Sequence, residues 1–141
     1  MVFNHTKNNL QRIDQYGTDP FRVSNNMIKS LWKDNDGSIW IGTLTGLDHL
    51  NYKTDSITHL YSEQDNEYAL SQKTISSIFR DKESNLWVGT HRGGLNISYA
   101  KLSFFKTFRL SPKKGALHYE DIKTFGKHPM EKSGPELMVA V

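Results

Sequence analysis

One stretch of sequence occurs twice at an offset of 47 residues, and this limits the fold of the 141-residue chain more than any other feature. Ser24–Asp36 aligns with Ser71–Glu83, so that Ile28 meets Ile75, Ser30 meets Ser77 and Asp34 meets Asp81. Leu31-Trp32 meets Ile78-Phe79, and Ile39-Trp40-Ile41-Gly42-Thr43 meets Leu86-Trp87-Val88-Gly89-Thr90. One extra glycine then enters the second copy, after which Gly46-Leu47-Asp48 meets Gly94-Leu95-Asn96. Ile57 and Leu60 meet Phe105 and Phe108 in the same way. A repeat on this scale is one supersecondary unit that buries its apolar faces only against its neighbours.

Within the unit the periodicity is that of strands. Ile28, Ser30 and Trp32 alternate with Lys29, Leu31 and Lys33, and the runs SIWIGT and NLWVGT are β-branched and aromatic. Asp34-Asn35-Asp36-Gly37 is a hairpin turn, because Asp and Asn tolerate left-handed backbone and Gly adopts positive φ without strain. Further turn signals lie at Gly42-Thr43…Gly46 and Asn51…Asp55. The pattern predicts strands near residues 27–33, 38–42, 47–51 and 56–61. A helix over 66–79 is the alternative for that stretch, and the Ser, Thr and Gln residues at 71–77 disfavour it. Four short antiparallel strands in such a repeat make one blade of a β-propeller, so the expected class is all-β.

The ends keep the same phase. Phe3, Leu10 and Ile13 precede Leu50, Ile57 and Leu60 by 47 residues, while Leu117 and Ile122 follow Leu70 and Ile75 by 47. The expected organisation is the end of a preceding blade at 2–16, whole blades at 24–62 and 71–110, the start of a further blade at 117–127, and a divergent tail at 128–141. That amounts to about three blades, and a propeller needs roughly four to eight to close. The exposed faces and edges of an incomplete ring favour self-association. Residues 117–127 and Glu136–Val141 supply inner strands and residues 2–4 and 10–15 outer ones, so two chains can join them into composite blades as a homodimer.

Composition narrows the function classes. The chain carries 18 basic and 15 acidic side chains, and the excess falls in residues 101–141, which hold 8 Lys/Arg against 4 Asp/Glu. This is too diffuse for a nucleic-acid footprint, and no nucleic-acid partner is expected. No cysteine is present, so thiol nucleophiles, disulfides and Cys-based zinc sites are excluded. No segment is apolar enough over about 18 residues to span a membrane as a helix.

The segment Asp34-Asn35-Asp36-Gly37-Ser38-Ile39-Trp40-Ile41-Gly42-Thr43, with Leu70–Ile75 and Asp81–Thr90 in the second copy, resembles the two-component regulator propeller repeat. The resemblance covers roughly residues 2–126. It implies the extracytoplasmic sensor region of a large bacterial signalling protein, often a hybrid histidine kinase, many of which detect carbohydrates. It thus implies a periplasmic setting in the full-length family. The N-terminus here lacks the apolar core of a signal peptide, which places the chain in the cytoplasm if it is made as written. Two departures are local. The second turn, Asp81-Lys82-Glu83-Ser84-Asn85, lacks the usual glycine, and the pattern disappears after Lys127. The third is one of scale: the many blades, membrane helix, kinase and receiver of such regulators have no counterpart in these 141 residues, so the resemblance is to a fragment.

Catalytic and metal chemistry find no support. His5, His49, His59, His91, His118 and His128 form no ligand pair at metal spacing, and Asp34-x-Asp36-Gly37 places its glycine fourth, not sixth as in a calcium loop. No P-loop or Gly-x-Ser-x-Gly elbow occurs, and no cofactor is implied. Asn4-His5-Thr6 and Asn96-Ile97-Ser98 match glycosylation sequons of a kind common by chance. Trp40 and Trp87 are able to stack on sugars, but their recurrence at one phase points to packing between blades. Asp34, Gly37, Trp40, Gly42, Asp81, Trp87 and Gly89 therefore form the structural set. Ligand contacts are expected where the repeats differ, on the face shared by the second-to-third loop and the inter-blade loop. The candidates there are Thr43, Thr45, Tyr68, His91 and Arg92, with an oligosaccharide as ligand. The expected function is a non-catalytic sensor or ligand-binding propeller fragment. A protein-interaction scaffold is the first alternative and a propeller-type lyase or hydrolase the second, the latter disfavoured by inner strands reading IKSLWK and ISSIFR.

Overall fold

The computed structural model describes residues 2–4, 9–18, 21–100, 104–109, 121–127 and 138–140. His5, Leu117, His118 and His128 lie outside the described residues. Two four-stranded antiparallel sheets form the body. The first holds β3 (Ile28–Lys33), β4 (Ile39–Thr43), β5 (Leu47–Asn51) and β6 (Ser56–Leu60) in sequential order. The second holds β7 (Ile75–Arg80), β8 (Leu86–Thr90), β9 (Gly94–Ser98) and β10 (Lys106–Phe108), also sequential. Two hairpins flank them: β1 (Val2–Asn4) with β2 (Asn9–Gln11), and β11 (Phe125–Lys127) with β12 (Met138–Ala140). The expected all-β meander blades are what the chain forms, as an incomplete propeller.

The register repeats as well as the order. Trp32 faces Trp40 across the first hairpin and Phe79 faces Trp87 across the second. Each inner strand carries an irregularity at the same place, between Ile28 and Ser30 and between Ile75 and Ser77. The outer hairpin β1–β2 pairs Phe3 with Leu10, as β5–β6 pairs Leu50 with Ile57. The inner hairpin β11–β12 pairs Lys127 with Met138, as β7–β8 pairs Arg80 with Leu86. The side-chain pattern that fades after Lys127 thus does not end the main-chain pairing, which any backbone can make. Here the connection runs over residues 128–137, longer than the 81–85 turn of the second blade.

Burial explains the repeat glycines. A Cβ on Gly42 would lie 2.7 Å from Ile75 Cγ2 and against Ser30 Oγ, and one on Gly89 would lie 2.6 Å from Ile122 Cγ2 and against Ser77 Oγ. Ile122 therefore stands to the second blade as Ile75 stands to the first, and Ser77 Oγ donates to its carbonyl at 3.1 Å. The main core lies between the blades, where Leu47, Leu70, Ile75, Ile78, Leu86, Val88 and Phe105 are buried with Trp32, Trp40 and Leu60 against them. A second cluster backs the first blade: Val23, Ile41, Leu50 and Ile57, with Ile13 and Phe21 beside them. The third joins Leu95, Ile97 and Ile122, with Trp87 and Phe125 alongside. Sheets that bury both faces in this way are packed as stacked blades.

Candidate functional site

The repeat motif proves to be a clasp. In the first blade Asp34 Oδ1 accepts from Trp32 Nε1 and Oδ2 from Trp40 Nε1, both at 3.0 Å. In the second, Asp81 Oδ2 accepts from Trp87 Nε1 at 2.7 Å and from Asn85 Nδ2 at 2.9 Å. Each aspartate thus binds the turn to the tryptophan six residues on, which fixes the ring as it packs. Burial pushes the Asp81 carboxyl up, but the Trp87, Asn85 and Glu83 donors outweigh it and hold the pKa below the usual value. Arg80 of the second blade reaches back to Asp34 at 3.0 Å and lies over the Trp40 ring at 5.8 Å, tying the two blades together. The indole N–H groups and ring faces of both tryptophans serve the fold.

A second constellation was not legible in the sequence. Asp48 is fully buried; its Oδ2 accepts from Ser24 N at 2.7 Å and Ser24 Oγ at 3.0 Å, while Oδ1 lies 2.8 Å from His59 Nδ1. These are the residue types of a hydrolase triad in the wrong order. A nucleophilic serine must pass its proton to histidine, whereas here the carboxylate sits between the two and Ser24 Oγ also meets Thr43 Oγ1 at 2.8 Å. In the second blade the same place holds Asn96, whose amide meets Ser71 N at 2.9 Å, Ser71 Oγ at 3.0 Å and Thr107 Oγ1 at 3.1 Å. The arrangement pins each blade-entry segment to the third strand of its blade.

The candidate ligand residues scatter when placed in the structure. Thr43 is fully buried and its hydroxyl closes the β4–β5 loop, donating to Gly46 O and accepting from the Thr45 and Gly46 amides, so it offers nothing to solvent. Thr45 is half-buried and donates to Ser24 O at 3.1 Å. His91 is exposed, with Nδ1 3.3 Å from Asp121 Oδ2, and Arg92 is exposed in left-handed backbone. Thr74, just before β7, links the two second-to-third loops: its Oγ1 donates to Leu44 O and its carbonyl accepts from His91 N, both at 3.0 Å.

On the inter-blade loop an open cleft of about 890 Å³ forms between residues 63–71 and 104–109. Tyr68 is the candidate that lines it. Its ring meets Phe104 edge-on with centroids 5.1 Å apart, and its carbonyl accepts from Phe105 N at 2.9 Å, which joins the two walls. Leu70 and Phe105 are buried beneath. Glu63, Asp65 and Glu67 border one wall, and Lys106 and Arg109 the other. Sequence reasoning singled out Tyr68 on the inter-blade loop but not the Phe104–Arg109 wall, because that wall adjoins the loop only once β10 pairs with β9. Among the described residues no group of His, Asp and Glu is arranged to hold a metal.

A family model described as "Two component regulator propeller" matches residues 69–92. Among solved structures, the chain is similar to the extracellular domain of BT3049 from B. thetaiotaomicron, assigned to the hybrid two component systems. The TM-score there is 0.67 at 22% identity, over 76% of this chain and 15% of that one. It is also similar to PorZ, a surface component of the type-IX secretion system of Porphyromonas gingivalis, with a TM-score of 0.57 at 20% identity, over 84% of this chain and 17% of that one. At these identities the likeness is one of fold, and the chain spans less than a fifth of either structure's length. No curated protein matches the chain.

Proposed function

From a chain whose residues 69–92 match a two-component regulator propeller model, we propose a non-catalytic piece of a ligand-sensing propeller that stands outside the membrane in a bacterial signalling protein. The observation that carries this reading is the cleft between residues 63–71 and 104–109. The exposed ring of Tyr68 offers an apolar surface, and the carboxylates, amides and cations on the walls offer acceptors and donors. That mixture suits a ligand that is polar at its edges and apolar on its face, as an oligosaccharide is. The serine, aspartate and histidine of the first blade support the non-catalytic part, since their wiring activates no nucleophile.

Calorimetric titration against a panel of oligosaccharides tests it. Saturable binding to one class of glycan is expected, weakened about tenfold or more by Tyr68→Ala, which removes roughly 1.4 kcal/mol or more. Binding that Tyr68→Ala leaves unchanged, or no binding across the panel, contradicts the reading. A scaffold role is the second reading, favoured by the exposed rings of Tyr16, Tyr52 and Tyr61, a residue type enriched at interfaces. Its mark is a protein partner whose binding survives Tyr68→Ala.

A further inference from the structure

The cleft beside Tyr68 carries charges that the fold of a blade does not require. In the first repeat the matching positions are uncharged: Tyr16, Thr18 and Pro20 stand where the second has Glu63, Asp65 and Glu67. Thr58 and Tyr61 likewise stand where it has Lys106 and Arg109. Both repeats nonetheless form the same four-stranded meander in the same register.

These charges are sorted by sign and left unjoined. Glu63, Asp65 and Glu67 border one wall of the cleft, and Lys106 and Arg109 the other. Among the described residues no ion pair crosses between the walls. Lys106 Nζ lies over the Phe108 ring, 5.5 Å from its centroid, whereas Arg109 is exposed and its guanidinium stays available. Hydrogen bonds within the loop hold the acidic wall in shape. Asn66 Nδ2 donates to Glu63 Oε2 at 2.8 Å, and Asn66 Oδ1 accepts from Tyr68 N at 3.0 Å. The bond from Phe105 N to Tyr68 O then fixes this wall against the other. A cleft shaped in advance loses little freedom on binding.

Walls of opposite sign are matched by a ligand that carries both signs. A heavily anionic ligand meets three carboxylates, a purely cationic one meets the guanidinium, and a neutral one answers neither wall. We propose that the cleft takes a glycan bearing both an unsubstituted amino sugar and a uronic acid. Its ammonium lies along Asp65 and Glu67, its carboxylate pairs with the Arg109 guanidinium, and a sugar face rests on Tyr68. This rests on the reading of the cleft as a glycan site and adds the charge class of the glycan.

Calorimetric titration of the full chain at about pH 6, where free amines are protonated, is the test. The probes are four oligosaccharides of equal length: heparosan, with carboxylates and acetylated amines; N-deacetylated heparosan, with both charges; chitosan, with ammonium groups alone; and neutral cello-oligosaccharide. N-deacetylated heparosan is expected to bind tightest, with each of the others weaker by about tenfold or more. Arg109→Gln is expected to weaken it about tenfold without weakening chitosan, and Asp65→Asn with Glu67→Gln to weaken it similarly without weakening heparosan. Asp65 has φ of 67°, a conformation that asparagine also adopts readily, so the loop keeps its shape in that variant. Tightest binding by any other probe, still weakened by Tyr68→Ala, overturns this inference and leaves the glycan reading standing. Binding by none of the four, or binding that Tyr68→Ala leaves unchanged, overturns both.

Discussion

The two whole blades share strand order, register and irregularity, yet they differ in polarity at matching buried and half-buried places. The first carries Asp48, His49 and His59 where the second carries Asn96, Ile97 and Thr107. Asp48 and Asn96 are both fully buried and both hold the entry serine, Ser24 or Ser71, on the third strand. Trp40 stacks on His49 at 4.1 Å, while Trp87 pairs across the strands with Ile97. The shape of a blade is thus specified by its apolar pattern and turns. The polarity of a buried position is free, provided its hydrogen bonds are met.

The largest test of that comparison is to empty the buried polar position in each blade. Asp48→Ala leaves Ser24 and His59 facing a gap, and a loss of about 3–5 kcal/mol is expected in urea unfolding. Asn96→Ala removes only neutral partners and is expected to cost about 1–3 kcal/mol. Converting one blade to the other, with Asp48→Asn and His59→Thr together, is expected to cost less than the two single changes summed. Equal losses for both alanine variants would break the distinction.

A smaller effect is expected at His49. Its Nε2 is buried with no partner, and burial chiefly holds the ring's pKa below 6.5, with Arg80 acting in the same direction and Asp34 and Asp36 opposing. The unfolded chain therefore takes up the proton first. Stability from this group is complete above about pH 6.5 and is lost as pH falls below it. His49→Ile, the second blade's choice, is expected to raise stability by roughly 1–2 kcal/mol and to flatten its pH dependence below 6.5. Thermal melts between pH 5 and 8 check both.

The smallest effect sharpens the comparison of turns. Gly37 takes φ of 91° in the first blade, and Ser84 takes φ of 67° at the matching place in the second. Left-handed backbone is unstrained for glycine and costs about 1 kcal/mol or more for serine. Ser84→Gly is expected to stabilise by about 1 kcal/mol, and Gly37→Ser to destabilise by a like amount, in the same unfolding assay.

Much of this was legible in the sequence because the repeat encodes it twice. The fold class and the strand positions follow from alternation and turn residues, which act locally. The missing glycine of the second turn was visible too, though not that Ser84 would adopt the glycine conformation regardless. What stayed hidden depends on long-range closure. Asp34 reads as a turn former, yet its carboxylate also holds two indoles and an arginine from the next blade. Ser24, Asp48 and His59 are spaced too irregularly to declare a network: Asp48 and His59 meet because β5 pairs with β6, and Ser24 reaches Asp48 from the blade-entry segment. The cleft beside Tyr68 similarly needs Phe104 and Arg109 brought up by β10. Thr43 looked available in the sequence because a loop threonine and a buried one read alike.

The central claim is that one 47-residue unit folds twice into equivalent, mutually packed blades. Residue-resolved amide hydrogen exchange tests it most directly. Slow exchange is expected in β4 and β5 and again, one repeat later, in β8 and β9, with faster exchange in the turns at 34–37 and 81–84. Protection confined to one blade, or no recurrence of the pattern at the repeat distance, would contradict the account.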